Sequence, residues 1–241
     1  MEIKSDDEYW EENREGNMKL DYVFDKFEHV KKRHNRTEGK LAFVTPEERN
    51  IATERGYNLT YGLILNIHDV LSQIPNIGEY NRFIDLGSGI GRIVLQVFLT
   101  TDIQDVIGIE LVKSRFEKSR EHVMKLYEKY PEYKLIVNDD SEIQLLYTEK
   151  DVMKTLTILK KNIHEHVYDT EKKSIVNSHM LTKNLTEYKL FMDTFTNSFC
   201  VSMYPLHEKS VTHHIKTDFN TPDARGYPFS LTNFTSLSKE S

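Results

Sequence analysis

Nine consecutive residues, Phe83-Ile84-Asp85-Leu86-Gly87-Ser88-Gly89-Ile90-Gly91, restrict the fold of this chain more than any other stretch. The apolar run 82–86 reads as a short strand. It enters a turn with glycine at every second position, and residues 91–99 continue as an apolar helix. A second strand is predicted over 105–110, followed by an amphipathic helix over 113–130 that stops at Pro131. Strand, glycine turn, helix, strand, helix is the grammar of a parallel sheet covered on both faces. The fold class expected is therefore α/β and Rossmann-like.

The turn also carries chemistry. Gly87 and Gly89 can take backbone angles denied to other residues and let a ligand lie against the main chain. Gly91 lets the helix pack close to the strand. Dinucleotide enzymes use a related loop to set a pyrophosphate on a helix N-terminus. Here Asp85 stands just before the glycines, where a carboxylate repels pyrophosphate and attracts a cation such as the ammonium of a methionine moiety. Glu110 ends the second strand nineteen residues after Gly91, a spacing at which an acid accepts both ribose hydroxyls of an adenosine. These features point to S-adenosylmethionine. A nicotinamide or flavin enzyme, and a glycine turn with no ligand, stay open as alternatives.

Composition narrows the setting. Among 241 residues, 38% are hydrophobic and 29% charged, a balance that supports a buried core. The single cysteine, Cys200, allows no internal disulfide and suggests a reducing, intracellular compartment. No basic-then-apolar leader and no membrane-spanning run is read, so no membrane partner is expected. A net charge of −6 argues against a general nucleic-acid binder. The basic cluster Lys26, Lys31, Lys32, Arg33 and Arg36 is interleaved with Asp25, Glu28 and Glu38; it reads equally as a solvated helix face or as a patch for weak DNA contact. His207, His213 and His214 lack a carboxylate or cysteine at ligand spacing, so no metal is expected.

Two regions are expected: a helical extension over 1–55, with helices near 20–32 and 46–55, and a catalytic domain over 56–241. In the latter a helix is predicted over 63–74. Segments 133–137 and 143–147 both read as strands, the second preferred. Residues 152–166 read as a helix, 174–176 as a strand ending at Asn177, 185–195 as a helix and 199–204 as a strand. The tail from 205 has turn residues and room for two edge strands.

The phrase Asp85-Leu86-Gly87-Ser88-Gly89-Ile90-Gly91, continuing Arg92-Ile93-Val94-Leu95-Gln96-Val97, resembles the first motif of the Dot-one (disruptor of telomeric silencing) family of non-SET histone H3 lysine methyltransferases. Tyr57-Asn58-Leu59-Thr60-Tyr61-Gly62 is similar to that family's loop over the cofactor. Val176-Asn177-Ser178-His179 stands where the family has Asn-Asn-Phe, and Val201-Ser202-Met203-Tyr204-Pro205-Leu206 resembles its fifth-strand phrase. The chain departs from the family at Leu63, where a glutamate is usual, and at Ser178 and His179.

The resemblance implies a class I methyltransferase fold and methyl transfer to a lysine in the globular core of nucleosomal histone H3, in the nucleus. It implies that Thr60, Tyr61, Gly62, Asp85, Gly87, Ser88, Gly89, Gly91, Gln96 and Glu110 bind the cofactor. Asp151, chosen over Asp139, is expected to contact adenine. Asn177 is expected to orient the entering amine, with Tyr61 beside it. The departures keep two other functions open: a cofactor-binding relative without turnover, and a methyltransferase for a non-histone substrate.

Overall fold

The computed structural model describes residues 11–24, 45–48, 71, 76–149, 152–163, 166–169, 171–178, 198–202, 211–214 and 230–233. Strand β1 (Arg82–Leu86) is buried at all five positions, as a parallel strand covered on both faces must be. It pairs in parallel with β2 (Asp105–Glu110) on one side and β6 (Ser174–Ser178) on the other. Beyond β2 lies parallel β5 (Val152–Lys160), and beyond β6 lies parallel β7 (Ser198–Ser202). Antiparallel β9 (Ser230–Asn233) then separates β7 from β8 (Val211–His214). At the opposite edge β3 (Tyr133–Asn138) and β4 (Glu142–Glu149) add an antiparallel hairpin. The order among the described strands is β3-β4-β5-β2-β1-β6-β7-β9-β8. The chain reverses its direction of travel across the sheet between β1 and β6. In open α/β sheets, ligands bind at the carboxyl ends of strands flanking such a reversal.

Three described helices share one face: α1 (Arg14–Val23), α2 (Arg92–Thr100) and α3 (Lys113–Lys129). Leu20 and Val23 of α1 are fully buried in the same cluster as Val94, Phe116, Leu126 and Leu156. Gly16 makes this possible, since a Cβ there would lie 2.3 Å from the Leu99 carbonyl oxygen. Lys19 secures the other flank through Glu132 at 2.9 Å and stands over the rings of Tyr130 and Tyr133. The end of α2 is closed by Lys154 of β5, whose Nζ donates to the carbonyls of Phe98 and Thr101. Burial draws that ammonium down to about 8. On the other face of the sheet Ile84, Leu86, Ile109, Leu159 and Val176 form a smaller cluster with Ile163 and Tyr168.

Three sequence expectations change. Residues 152–166, read as a helix, contain β5 instead. Lys154, Leu156 and Ile158 face the helices while Thr155 and Thr157 lie on the other side, a period of two rather than 3.6. The segments 133–137 and 143–147 are not alternatives but partners in one hairpin. Asp139 closes its turn, accepting from the N–H groups of Ser141 (2.7 Å) and Glu142 (2.8 Å) and from the Ser141 hydroxyl. The first described helix begins earlier than expected and spans Arg14–Val23, overlapping the expected one only over 20–23; residues 25–32 lie outside the described residues. Strands near 174 and 199, and two strands in the tail, match their expected places. The helices expected over 63–74 and 185–195, most of 46–55, and the basic cluster from Lys26 to Arg36 lie outside the described residues, Leu71 apart.

Candidate cofactor site

The turn after β1 is held in place residue by residue. Gly87, Gly89 and Gly91 have φ of 86°, 58° and 82°, the left-handed region that side chains disfavour. The N–H groups of Gly87 and Ser88 both donate to the Ile109 carbonyl, at 2.8 and 3.0 Å. Gly91 N–H donates back to the Ser88 carbonyl at 3.0 Å. Among the described residues no heavy atom lies within 4 Å of a Cβ added at Gly89, so the turn is open to them there. At Gly91 a Cβ would meet Ser119 of α3 at 3.2 Å and Ile158 of β5 at 3.4 Å. The second glycine thus leaves an accessible backbone surface, and the third permits close packing.

Glu110 joins the turn to the next helix. One carboxylate oxygen accepts Gly89 N–H and the other accepts Val112 N–H, each at 2.8 Å. The side chain is only 5% exposed. Burial raises its pKa, and the two N–H donors and Arg115 offset this only in part. A carboxylate has about four acceptor positions, so these bonds leave room for ligand hydroxyls. Asp85 is also buried, and the register sets it beside Gly108 of β2 and Asn177 of β6. Two carboxylates at the carboxyl ends of adjacent strands favour a cation and oppose a pyrophosphate. Ser88 Oγ is buried and has no hydrogen-bond partner among the described residues. It points at Gly108, where a Cβ would come within 2.9 Å of it. An open glycine cradle, a buried acid with spare acceptor capacity and a second buried acid fit an adenosyl group bearing a cationic amino acid.

The structure thus brings Asp85, Gly87, Ser88, Gly89, Gly91, Glu110 and the backbone of Asn177 to one end of the sheet. Gln96 lies past the first turn of α2 and is buried. Thr60, Tyr61 and Gly62 lie outside the described residues, as do Leu63 and His179. Asp151 does too, but its neighbours Glu149 and Val152 pair with each other where β5 begins, at the end of the sheet away from the glycine turn. Lys160 ends β5, Lys161, Asn162 and Ile163 follow it, and Asp139 sits at the same end in the hairpin turn.

Sequence reasoning misses Glu48 and His122, which brace the elements around the turn. Thr45 and Glu48 form a reciprocal capping pair, with Thr45 N–H donating to Glu48 at 3.0 Å and Glu48 N–H to the Thr45 hydroxyl at 3.3 Å. The same carboxylate accepts from Ser114 N–H at 2.9 Å and the Ser114 hydroxyl at 2.6 Å, fixing the start of α3 beside Glu110. Burial raises the Glu48 pKa, but the Ser114 and Thr45 donors outweigh it and hold it below its ordinary value. The Thr-Pro-Glu-Glu spacing is the signal that could have found it. The other is His122, whose ring nitrogen lies 3.0 Å from the Ile90 carbonyl; nothing local marks it.

The strand order, the glycine turn after β1 and the acid at the tip of β2 together define the class I methyltransferase fold, whose cofactor is S-adenosylmethionine. A family model described as histone methylation protein DOT1 matches residues 43–218, and the chain belongs to that family. No curated protein sequence matches it. Among solved structures, an RNA methyltransferase from Salinibacter ruber in complex with S-adenosyl-L-homocysteine is similar over 72% of this chain and 93% of its own, at 13% identity and a TM-score of 0.46. A putative RNA methyltransferase from Pyrococcus horikoshii is similar over 89% of this chain and 96% of its own, at 14% identity and a TM-score of 0.38. These two likenesses are remote and say nothing about substrate. Among the described residues, no helix is long and apolar enough to cross a membrane and no group of three metal-ligating side chains occurs.

Proposed function

We propose that this chain binds S-adenosylmethionine at the β1–α2 turn and methylates a lysine in the globular core of nucleosomal histone H3, acting in the nucleus. The observation that carries this reading is a DOT1 family match spanning a turn whose backbone is open at Gly89 and bounded by two buried carboxylates. Asp85 would take the methionine ammonium, Gly87 and Gly89 would lie against the cofactor through backbone, Ser88 and Gln96 would support that surface, and Glu110 would accept ribose hydroxyls. Thr60, Tyr61 and Gly62 would form a covering loop. Asn177, one strand from Asp85, would orient the amine.

S-adenosylmethionine, when bound, supplies an electrophilic methyl group on a sulfonium. The protein's part is to align the amine nitrogen with it at near-attack distance, which contributes several kcal/mol toward the barrier. It must also favour the neutral amine, and an apolar channel does so by disfavouring the charged form. Asp85 and Glu110 would hold the cofactor that supplies the methyl group, Asn177 would orient the accepting amine, and the proton displaced from that amine would pass to solvent. No nucleophile from the protein is required.

The test is incubation with radiolabelled S-adenosylmethionine and, in parallel, nucleosomes, free histones, naked DNA and small amines. Label on histone H3 in nucleosomes is expected, abolished in Asn177→Ala with cofactor binding retained. Reversing Lys31, Lys32 and Arg33 to glutamate should weaken nucleosome binding and flatten its salt dependence, the logarithmic slope falling by roughly one for each phosphate no longer neutralised. Label on small amines alone overturns the histone substrate, and failure of S-adenosylhomocysteine to bind overturns the cofactor.

A further inference from the structure

The glycine turn is held from the helix side as well as from the sheet, by a contact that the roles above do not use. Gly87, Ser88 and Gly89 are fixed by β2 through Ile109 and Glu110. Ile90, the residue between the second and third glycines, is fixed by His122 of α3, whose Nδ1 is 3.0 Å from the Ile90 carbonyl oxygen. A carbonyl only accepts, so Nδ1 carries the proton and donates it. His122 is 4% exposed, and its ring cannot swing away because Phe24 packs against it, with centroids 4.4 Å apart at 62°. Phe24 is the residue that ends α1, its N–H bonded to the Leu20 carbonyl. Arg92, the first residue of α2 after the turn, lies over the same Phe24 ring at 5.8 Å. Lys125 of α3 donates to the Val23 carbonyl at 3.3 Å, tying the end of α1 to the helix that carries His122.

We propose that His122 is a positioning residue for cofactor binding, holding the glycine turn through the Ile90 carbonyl, and that α1 acts as its backing through Phe24. This rests on the reading that Gly87–Gly91 and Glu110 contact the cofactor. A turn pinned only from β2 could pivot about Gly89 and Gly91. A bond at Ile90 removes that freedom before the ligand arrives, and pre-organisation of this kind appears as affinity.

The experiment is calorimetric titration of S-adenosylhomocysteine into the full chain, with thermal unfolding measured on each variant. Asn places an amide nitrogen where the histidine Nδ1 stands; Leu fills the space without a donor. His122→Leu should bind roughly tenfold more weakly, the scale of one buried hydrogen bond. His122→Asn should stay within about threefold of wild type, although both substitutions lower the melting temperature. Phe24→Ala should weaken binding in the same direction. If His122→Leu does not fold, His122→Gln takes its place, since its amide lies one methylene further out. Equal losses in the Asn and Leu variants, or no loss in either, overturn the role of His122. Unchanged affinity in Phe24→Ala overturns the part given to α1. Glu110→Ala separates the two levels: if it binds normally, the cofactor reading itself fails. If it loses binding while His122→Leu keeps it, only the present inference fails.

Discussion

Glu110 accepts a backbone N–H on each of its two oxygens, one from the glycine turn and one from the start of α3. That geometry makes Glu110→Gln more disruptive than its shape suggests, because the amide must turn its NH2 toward one of the two N–H groups. An unsatisfied buried pair costs about 1–3 kcal/mol. Release from the desolvation that raises the Glu110 pKa offsets part of this, so the lower half of that range is expected. Urea denaturation without ligand measures it, and a variant as stable as wild type would contradict the paired geometry. Asp85, the three glycines and Glu110 are legible in the sequence because each has a chemical reason to be that residue: a left-handed φ, a close approach, a charge at a strand tip. His122 is not legible. Its function depends on a carbonyl 32 positions away and on a ring from α1, and nothing in Arg120-Glu121-His122-Val123 encodes either.

At the scale of elements, α1 is informative because its packing reverses an ordinary rule. A Gly→Ala change inside a helix normally stabilises by about 1 kcal/mol. At Gly16 the added methyl would stand 2.3 Å from the Leu99 carbonyl oxygen, backbone against backbone, with Thr100 Cγ2 at 2.9 Å. The Leu99 oxygen is backbone and the Thr100 side chain is held by its hydroxyl's bond to the Gln96 carbonyl, so the helices must part, and overpacking of this kind costs about 1–3 kcal/mol. Gly16→Ala is therefore expected to lower the melting temperature, and a rise would show that α1 does not press on α2. Reading elements from sequence succeeds where apolar runs are long and bounded, in β1, α2, β2 and α3. It fails at β5, where Val152-Met153-Lys154-Thr155-Leu156 also fits a helical period. Leu156 and Ile158 are buried two apart, with threonines between them and at Thr155, and that alternation is the signal to follow. The β3–β4 hairpin escapes notice as a unit because its turn, Asp139-Asp140-Ser141, contains no glycine; the Asp139 carboxylate supplies the closing bonds instead.

For the molecule as a whole, the neutral His122 links stability to pH with a definite sign. Burial lowers its pKa to about 4 from 6.5, and Lys118 and Lys125 add to that against the Ile90 carbonyl and Glu121. From α1 it faces the Phe24 ring, over which the Arg92 guanidinium of α2 also lies. In the unfolded chain the same imidazole takes up a proton near its ordinary value. Between pH 6.5 and 4 the unfolded state therefore binds more protons than the native state, and stability falls as pH falls. The contribution is complete above about 6.5 and gone near 4, amounting to roughly 3 kcal/mol over the window. Glu110 works in the opposite sense: its raised pKa lets the native state take a proton first, which recovers some stability as the solution acidifies. Glu48, held below its ordinary value, adds a loss at still lower pH. Because these carboxylates are common to both proteins, comparing wild type with His122→Asn isolates the histidine. Urea unfolding at intervals from pH 7.5 to 4.5 should show the wild-type advantage shrinking as pH falls, by up to about 1.4 kcal/mol per pH unit below 6. A constant difference across that range would mean that His122 titrates normally in the folded protein, and that Phe24 and α3 do not seal it from water.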